Sequence, residues 1–410
     1  MIKYIIITPR VCSMGGAQLY VLRRANYLIN LGYDVHIIVG DHGENFPLRD
    51  KFNGIKIHCV PEILQRIAQV SIKKQEKVLN ALEEKIGMGD EYLVESHDLT
   101  TIEWGEVLSA KLGAKHLAYP LAEPRVRKYK FLPGMRIFKE KLANGEFYGC
   151  SSLALSEIFQ RIDVPNNFVN IAYDESELAN ISTPSVSFIK NPNDYVITTI
   201  TRLDKTYIEP LSDAVAEMAR KYEMNRFVLL IIGGSTNKKR EQYLKENYNN
   251  ETYKINNLEI KYLGYINKLG KDIYKVTDAF IGMGTASINA ISQKCITINV
   301  DPRNGMKQSS GVFGVDTQNF AYSENGRLYE LFAKIEEVFL YDKRTIESIR
   351  ETGRKLFEEE FEMGACFKKL DSAFVGIKPV RDRDSLSIPH IYRYLVMCLF
   401  AIKKIIEKSQ

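Results

Sequence analysis

Six consecutive residues, Gly282-Met283-Gly284-Thr285-Ala286-Ser287, are mostly small and lead into an amphipathic stretch. Small residues let the backbone approach a ligand closely. The amides that open a helix favour negative charge, so this turn suits an anion such as phosphate; a tight strand-to-helix turn without a ligand is the alternative. Gly15 and Gly16 make a similar turn near the N-terminus, fitted to a phosphate or sugar contact or simply to a change of chain direction. Arg202 directly follows an apolar run, where its guanidinium can hold an anion through paired hydrogen bonds. The alternative is a surface arginine in a loop ion pair. His97 and Asp98 follow another apolar run and form a candidate acid/base pair. Their competing assignment is a helix cap at Asp98 with His97 in the turn.

The elements that must position these residues alternate regularly. Tyr4 to Thr8 is an isoleucine-rich run, as expected of a parallel strand buried on both faces. Apolar residues at helical spacing from Ala17 to Leu31 follow, then Gly32 and a second apolar run, Asp34 to Val39. This is a strand, a glycine turn, a helix and a strand. The alternation continues to Tyr119 and fades through Ser182 to Asp194, which is rich in Ser, Asn and Pro. A second series begins at Tyr195 and includes the wholly apolar Phe227 to Ile232, ending in Gly233-Gly234; its last helical stretch is Thr345 to Phe374. Two such series predict an α/β protein with two doubly wound, Rossmann-like domains facing a cleft, over 1–180 and 195–375, with an amphipathic tail over 376–410.

Size and composition agree with this reading. The chain of 410 residues is long for a single core, and its 45% hydrophobic and 26% charged residues are ordinary for a globular protein. A net charge of +5 is too mild to bind nucleic acid unless it is concentrated. The six cysteines include no C-x-x-C pair, which argues against a structural zinc site or a disulfide framework and for a cytoplasmic location. MIKYIIITPR reads as a first strand, not a signal peptide, and no apolar run is long enough to span a membrane.

Several segments resemble the family-four glycosyltransferases, which have the GT-B fold. SMGGAQ with LGYDVHIIV is similar to the family's opening. TTITRLDK and FVLLIIGG are similar to the first two strands of its donor domain. The run from IKYLGYI through IGMGTASINAISQKCITI resembles the donor-binding region. The form of IGMGTASINA and of SSGVFGVDTQNF is closest to members that build capsular or other surface polysaccharides. The resemblance covers residues 1 to 375.

It implies transfer of a sugar from a UDP- or GDP-linked donor to a lipid-linked or oligosaccharide acceptor, with the acceptor on the first domain and the donor on the second. Retention of configuration is implied, with no metal and no cofactor, because the donor phosphate takes the acceptor proton. Gly15, Gly16, Gly282, Gly284, Thr285, Ala286 and Ser287 become donor-binding residues, and Arg202 the holder of the diphosphate. Glu123, in YPLAEP, becomes a sugar contact. Where the family has a lysine five residues after that arginine, Tyr207 stands here, and Lys205 is the nearest cation. Where it has Glu-x7-Glu, this chain has Ile281 and Asn289. Asn289 can still bond a ribose hydroxyl; Ile281 has no such group. These departures keep a second reading open, a non-catalytic GT-B subunit that binds a glycan or partners an active transferase. A Rossmann oxidoreductase ranks third, since SMGGAQ is not G-x-G-x-x-G.

Basic residues gather around KFLPGMRIF: Arg125, Arg127, Lys128, Lys130, Arg136, Lys139 and Lys141, interleaved with Tyr129, Phe131, Leu132, Ile137 and Phe138. This suits an anionic membrane surface or a lipid-diphosphate acceptor, or a plain solvated helix face. The tail, with its short uncharged run Tyr394 to Ile402, fits a helix lying in the membrane interface or packed on the first domain. Together these place the protein in the cytoplasm, peripheral at the inner face of the cell membrane.

Overall fold

Both apolar series become parallel sheets in the computed structural model, which describes residues 1–11, 16–41, 52, 54–121, 134–159, 167–178, 190–235, 237–266 and 269–380. The first sheet contains β1 (Ile2–Arg10), β2 (Asp34–Asp41), β3 (Lys56–Cys59), β4 (Glu91–Ser96) and β5 (Lys115–Ala118), ordered β3-β2-β1-β4-β5. With it go α1 (Gly16–Asn30), α2 (Ile72–Ile86), α3 (Leu99–Leu112), α4 (Gly134–Ala143) and α5 (Ser152–Phe159). Side chains alternate across a strand, so β1 feeds two cores. Tyr4 and Ile6 pack with Tyr20 and Leu28 of α1, while Ile5 and Ile7 pack with Trp104 and Leu108 of α3.

The second sheet contains β6 (Asp194–Ile200), β7 (Arg226–Ile232), β8 (Leu258–Gly264), β9 (Ala279–Gly282), β10 (Ile296–Val300), β11 (Gln308–Val312) and β12 (Tyr329–Glu330), ordered β12-β11-β10-β9-β6-β7-β8. Only β11 and β12 are antiparallel to their neighbours. Its helices are α6 (Ile208–Lys221), α7 (Lys238–Asn247), α8 (Asn250–Tyr253), α9 (Asp272–Val276), α10 (Thr285–Ser292), α11 (Leu331–Phe339) and α12 (Lys343–Glu360). In β7, Phe227, Leu229 and Ile231 meet Leu211 and Val215 of α6 and Ile335 of α11. Val228, Leu230 and Ile232 meet Phe280 and Ala290 on the other face. That double burial is why the run reads as continuously apolar.

The chain divides into two units, Tyr173–Glu362 and the remainder, Met1–Ala172 with the residues from Met363 onward. The helical stretch expected over Thr345 to Phe374 is two helices, broken at Phe361 and Glu362, and α13 (Met363–Gly376) belongs with the first unit. The reason is packing: Phe367, Leu370 and Phe374 share a core with Tyr4 and Tyr20. Ile377 and Val380 are buried there too, and the Val380 amide donates to Ala114. The rest of the tail lies outside the described residues.

One part of the expected basic face is core. Lys141 is fully buried, with its ammonium 2.8 Å from Glu106 and 3.1 Å from Glu146. Ile137 and Phe138 are buried beside it, whereas Arg136 and Lys139 face water. The helical period of α4 places Lys141 on the face of Ile137 and Phe138. Arg125, Arg127, Lys128, Lys130, Tyr129, Phe131 and Leu132 lie outside the described residues.

A histidine pair on β2 and β3 makes the first unit sensitive to acid. His36 Nδ1 is 3.0 Å from His58 Nε2, and its other nitrogen is 3.4 Å from Asp34. Burial brings the His36 pKa down to about 4, helped by the charge of Lys56 and opposed by Asp34. Between pH 6.5 and about 4 the unfolded chain therefore binds more protons than the folded one, so this contribution to stability is lost as pH falls through that window. His36→Phe is expected to flatten the dependence of the urea midpoint on pH over this range. An unchanged slope would assign the acid sensitivity to other groups.

Candidate functional site

Each sheet reverses its order at one point, and in such sheets ligands sit beyond the carboxyl ends of the strands on either side of it. In the second sheet this point lies between β6 and β9. Their ladder stops at Thr198 and Phe280. β6 continues, paired with β7, to Ile200 opposite Ile232, and β9 continues, paired with β10, to Gly282 opposite Asn299. The strands thus part before they end. Arg202 follows one lip of this gap, and the 282–287 turn follows the other.

Arg202 is exposed, its Nε 3.3 Å from Asp204. Its loop is held by the Leu203 amide donating to Gly234 and the Thr201 amide donating to Ile232, at 3.0 and 2.9 Å. Lys205 is half-buried in the same loop; burial lowers its pKa and the Arg202 charge lowers it further. Across the gap, Gly284 has a φ of +66°, a conformation that favours glycine, and caps α10. Its own amide donates to Phe320, at 2.9 Å. The amides of Thr285, Ala286 and Ser287 have no acceptor within the helix, and the positive end of α10 favours negative charge. The Ser287 hydroxyl and the Asn289 carbonyl oxygen are buried and have no hydrogen-bond partner among the described residues.

Two departures from the expected motif have plain structural roles. Ile281 is fully buried in the core with Ile197 and Ile298. Tyr207 is fully buried and shares a 2.9 Å hydrogen bond with Thr199. Neither side chain is open to a ligand.

The first sheet reverses between β1 and β4. The last bonds across that ladder pair Ile7 with Ser96 and join the His97 amide to the Ile7 carbonyl at 3.0 Å. His97 therefore stands at the reversal, and Gly16 opens α1 beyond β1. The Asp98 carboxylate is the N-cap of α3, accepting from the Thr100 amide at 2.8 Å. The carboxylate partner of His97 is instead Glu95, with Nε2 to Oε1 at 2.7 Å. Glu95 has no exposure and also accepts from the hydroxyls of Tyr4 and Tyr20 and from Arg24 Nε. Burial alone would raise its pKa, but the Arg24 charge and the bonds from His97 and Tyr4 bring it to about 2. Gly15 and Glu123 lie outside the described residues. Among the described residues no cluster of His, Cys, Asp and Glu has a metal-binding arrangement.

No protein-family model matches the sequence, and no curated protein matches it. Solved structures do match. Anabaena HepE in complex with UDP and glucose is 14% identical, with a TM-score of 0.59 over 90% of this chain and 99% of that one. A Rickettsia africae glycosyltransferase is 14% identical, with a TM-score of 0.62 over 91% and 97%. The lipopolysaccharide outer core galactosyltransferase WaaB is 12% identical, with a TM-score of 0.56 over 91% and 99%. The fold is GT-B.

Within this GT-B chain, Arg202 and Lys205 follow the carboxyl end of β6 and residues 282–287 that of β9, while Gly16 and His97 follow β1 and β4 in the first unit. Glu95 and Arg24 escaped the sequence reading. A signal for Glu95 was present, because Glu95 and His97 are two residues apart and so lie on one face of a strand end. Nothing local marks Arg24, whose partners are distant in sequence.

Proposed function

We propose that the chain is a glycosyltransferase that moves a sugar from a UDP- or GDP-linked donor onto a lipid-linked glycan precursor in surface polysaccharide synthesis, with retention and without a metal. The observation that carries this reading is the parting of β6 from β9, with a guanidinium at one lip and a helix N-terminus at the other. Both kinds of donor suit a pyrophosphate. That HepE, with the same fold, has been solved with UDP and with UDP-glucose supports the choice of ligand.

In this reading Arg202 and Lys205 neutralise the leaving diphosphate, and the amides of Thr285, Ala286 and Ser287 complete the cradle after Gly282 and Gly284. Asn289 takes a ribose hydroxyl. Gly15 and Gly16 contact the donor from the first unit, His97 and Glu123 serve the acceptor side, and Asp98 serves it by capping α3 next to His97. Catalysis is then mostly positioning and charge stabilisation. No described helix is long and apolar enough to cross a membrane; we place the protein in the cytoplasm, held at the membrane by its basic segment and tail.

A nucleotide that binds the folded state raises its stability by about 2.7 kcal/mol at a hundredfold excess over Kd. For a domain of this size that is a rise in melting temperature on the order of 5–10 °C. UDP or GDP is expected to give such a rise. Arg202→Ala is expected to weaken the affinity about tenfold to a hundredfold, the worth of a charged hydrogen bond, with a smaller loss in Lys205→Ala. An unchanged response in Arg202→Ala would remove the diphosphate role.

The second reading, a non-catalytic GT-B subunit, is favoured by one observation. The positions expected to carry a glutamate and a lysine hold Ile281 and Tyr207, both committed to the core. No thermal response to any nucleotide or nucleotide-sugar would favour it.

A further inference from the structure

We infer that Glu95 fixes His97 in the tautomer with its proton on Nε2, so that the Nδ1 lone pair meets a ligand hydroxyl entering at the β1–β4 reversal. Arg24, Tyr4, Tyr20 and Asp371 act through Glu95 as positioning residues.

An ionised carboxylate only accepts hydrogen bonds and has roughly four lone-pair sites. In Glu95 each oxygen has two donors. Oε2 receives the Tyr4 hydroxyl at 2.5 Å and Arg24 Nε at 3.2 Å. Oε1 receives the Tyr20 hydroxyl at 2.8 Å and faces His97 Nε2 at 2.7 Å. Burial pushes both tyrosine hydroxyls well above their usual pKa, so they remain donors. The imidazole nitrogen facing a carboxylate must carry the proton, because a lone pair there would oppose the charge. His97 Nε2 is thus N–H, and in the neutral ring Nδ1 is the acceptor.

The surroundings hold this arrangement. His97 is 4% exposed, and its Nδ1 is buried with no hydrogen-bond partner among the described residues. Tyr20 packs edge-on to the ring, with centroids 5.3 Å apart. Arg24 is fully buried and would be poorly balanced by one carboxylate that also serves three other donors. A second carboxylate, Asp371 on α13, lies 2.7 Å from its Nη2. The same guanidinium is 2.7 Å from the Tyr4 hydroxyl. The returning helix therefore contributes a charge to the network behind His97, besides its apolar packing. A buried acceptor with no partner at a strand-order reversal is a place for a hydroxyl, the commonest group on a sugar. That last step rests on the function proposed above; the tautomer does not.

The test uses the full chain labelled with nitrogen-15. Long-range proton–nitrogen correlations through the imidazole report which nitrogen is protonated, and the His97 signals are those missing from His97→Gln. One tautomer at neutral pH, with Nε2 protonated and Nδ1 bare, is expected. A proton on Nδ1, or averaging between both forms, would overturn the inference. Glu95→Gln, which can donate as well as accept, is expected to mix the tautomers and lower kcat for sugar transfer at least tenfold, with an unaltered thermal response to UDP. If that variant does not fold, Tyr20→Phe is expected to shift the same signals towards the mixed position, and unmoved signals there would count against the network. Absence of any UDP response in the unsubstituted protein would instead defeat the proposed function and leave the tautomer result standing.

Discussion

Lys141→Met is expected to destabilise the first unit by about 3–5 kcal/mol, the cost of removing one partner from a buried ion pair. Lys141 is fully buried, and two carboxylates, Glu106 and Glu146, depend on its charge. It also donates to the His116 carbonyl at 3.1 Å. Burial would raise the Glu106 pKa, but the hydrogen bond from His116 and the charge of Lys141 hold it at about 2. Methionine fills similar space and restores no charge, so both carboxylates lose the Lys141 ammonium. The urea midpoint of the first unit should fall, and adding Glu106→Gln should recover part of the loss. A surface lysine of α4, such as Lys139, should tolerate the same change within about 0.5 kcal/mol. Equal effects at 139 and 141 would contradict the buried network.

Gly233→Ala is expected to be as damaging and to act on the second unit. Gly233 has a φ of +144°, which few side chains tolerate, and a Cβ there would lie 1.7 Å from the Thr201 carbonyl oxygen. The obstructing atom is backbone, so no rotamer change relieves it. Thr201 adjoins Arg202, and the Leu203 amide donates to Gly234. Relief must therefore come from moving the loop that presents the guanidinium. A loss of about 3 kcal/mol, the upper end for overpacking, should accompany loss of the nucleotide response. Gly234→Ala is the control, because its Cβ would make only an ordinary 3.4 Å contact with Tyr265. A mild Gly233→Ala with an intact response would show that the β6–β7 turn does not position Arg202.

Much of the fold was legible because parallel strands buried on both faces are written as continuous apolar runs. Phe227 to Ile232 is the clearest, with every residue assigned to one of two cores. The small residues of 282–287 were legible for a related reason, since glycine density marks a turn before its purpose is known. Only the family resemblance joined Arg202 and the turn on one donor; their placement on two lips of one gap follows from strand order, which sequence spacing does not reveal.

What escaped the sequence depends on distant partners. Lys141 looks like a surface cation in a basic segment, but Glu106, far away in the chain, and Glu146 balance its charge in the core. Arg24 sits among apolar neighbours on α1 and is defined by Glu95 and Asp371. His97 and Asp98 looked like a pair because they are adjacent, yet adjacent residues diverge at a strand end. One turned to Glu95, the other to the amides of α3. The return of α13 to the first unit was hidden because its apolar spacing fits either core.

A crystal structure of the full chain with UDP or GDP tests the central claim most directly. The pyrophosphate is expected beyond the parting of β6 and β9, bonded to the amides of Thr285 to Ser287 and to the Arg202 guanidinium. A nucleotide seated elsewhere, or none at saturating concentration with Arg202 still paired to Asp204, would contradict it.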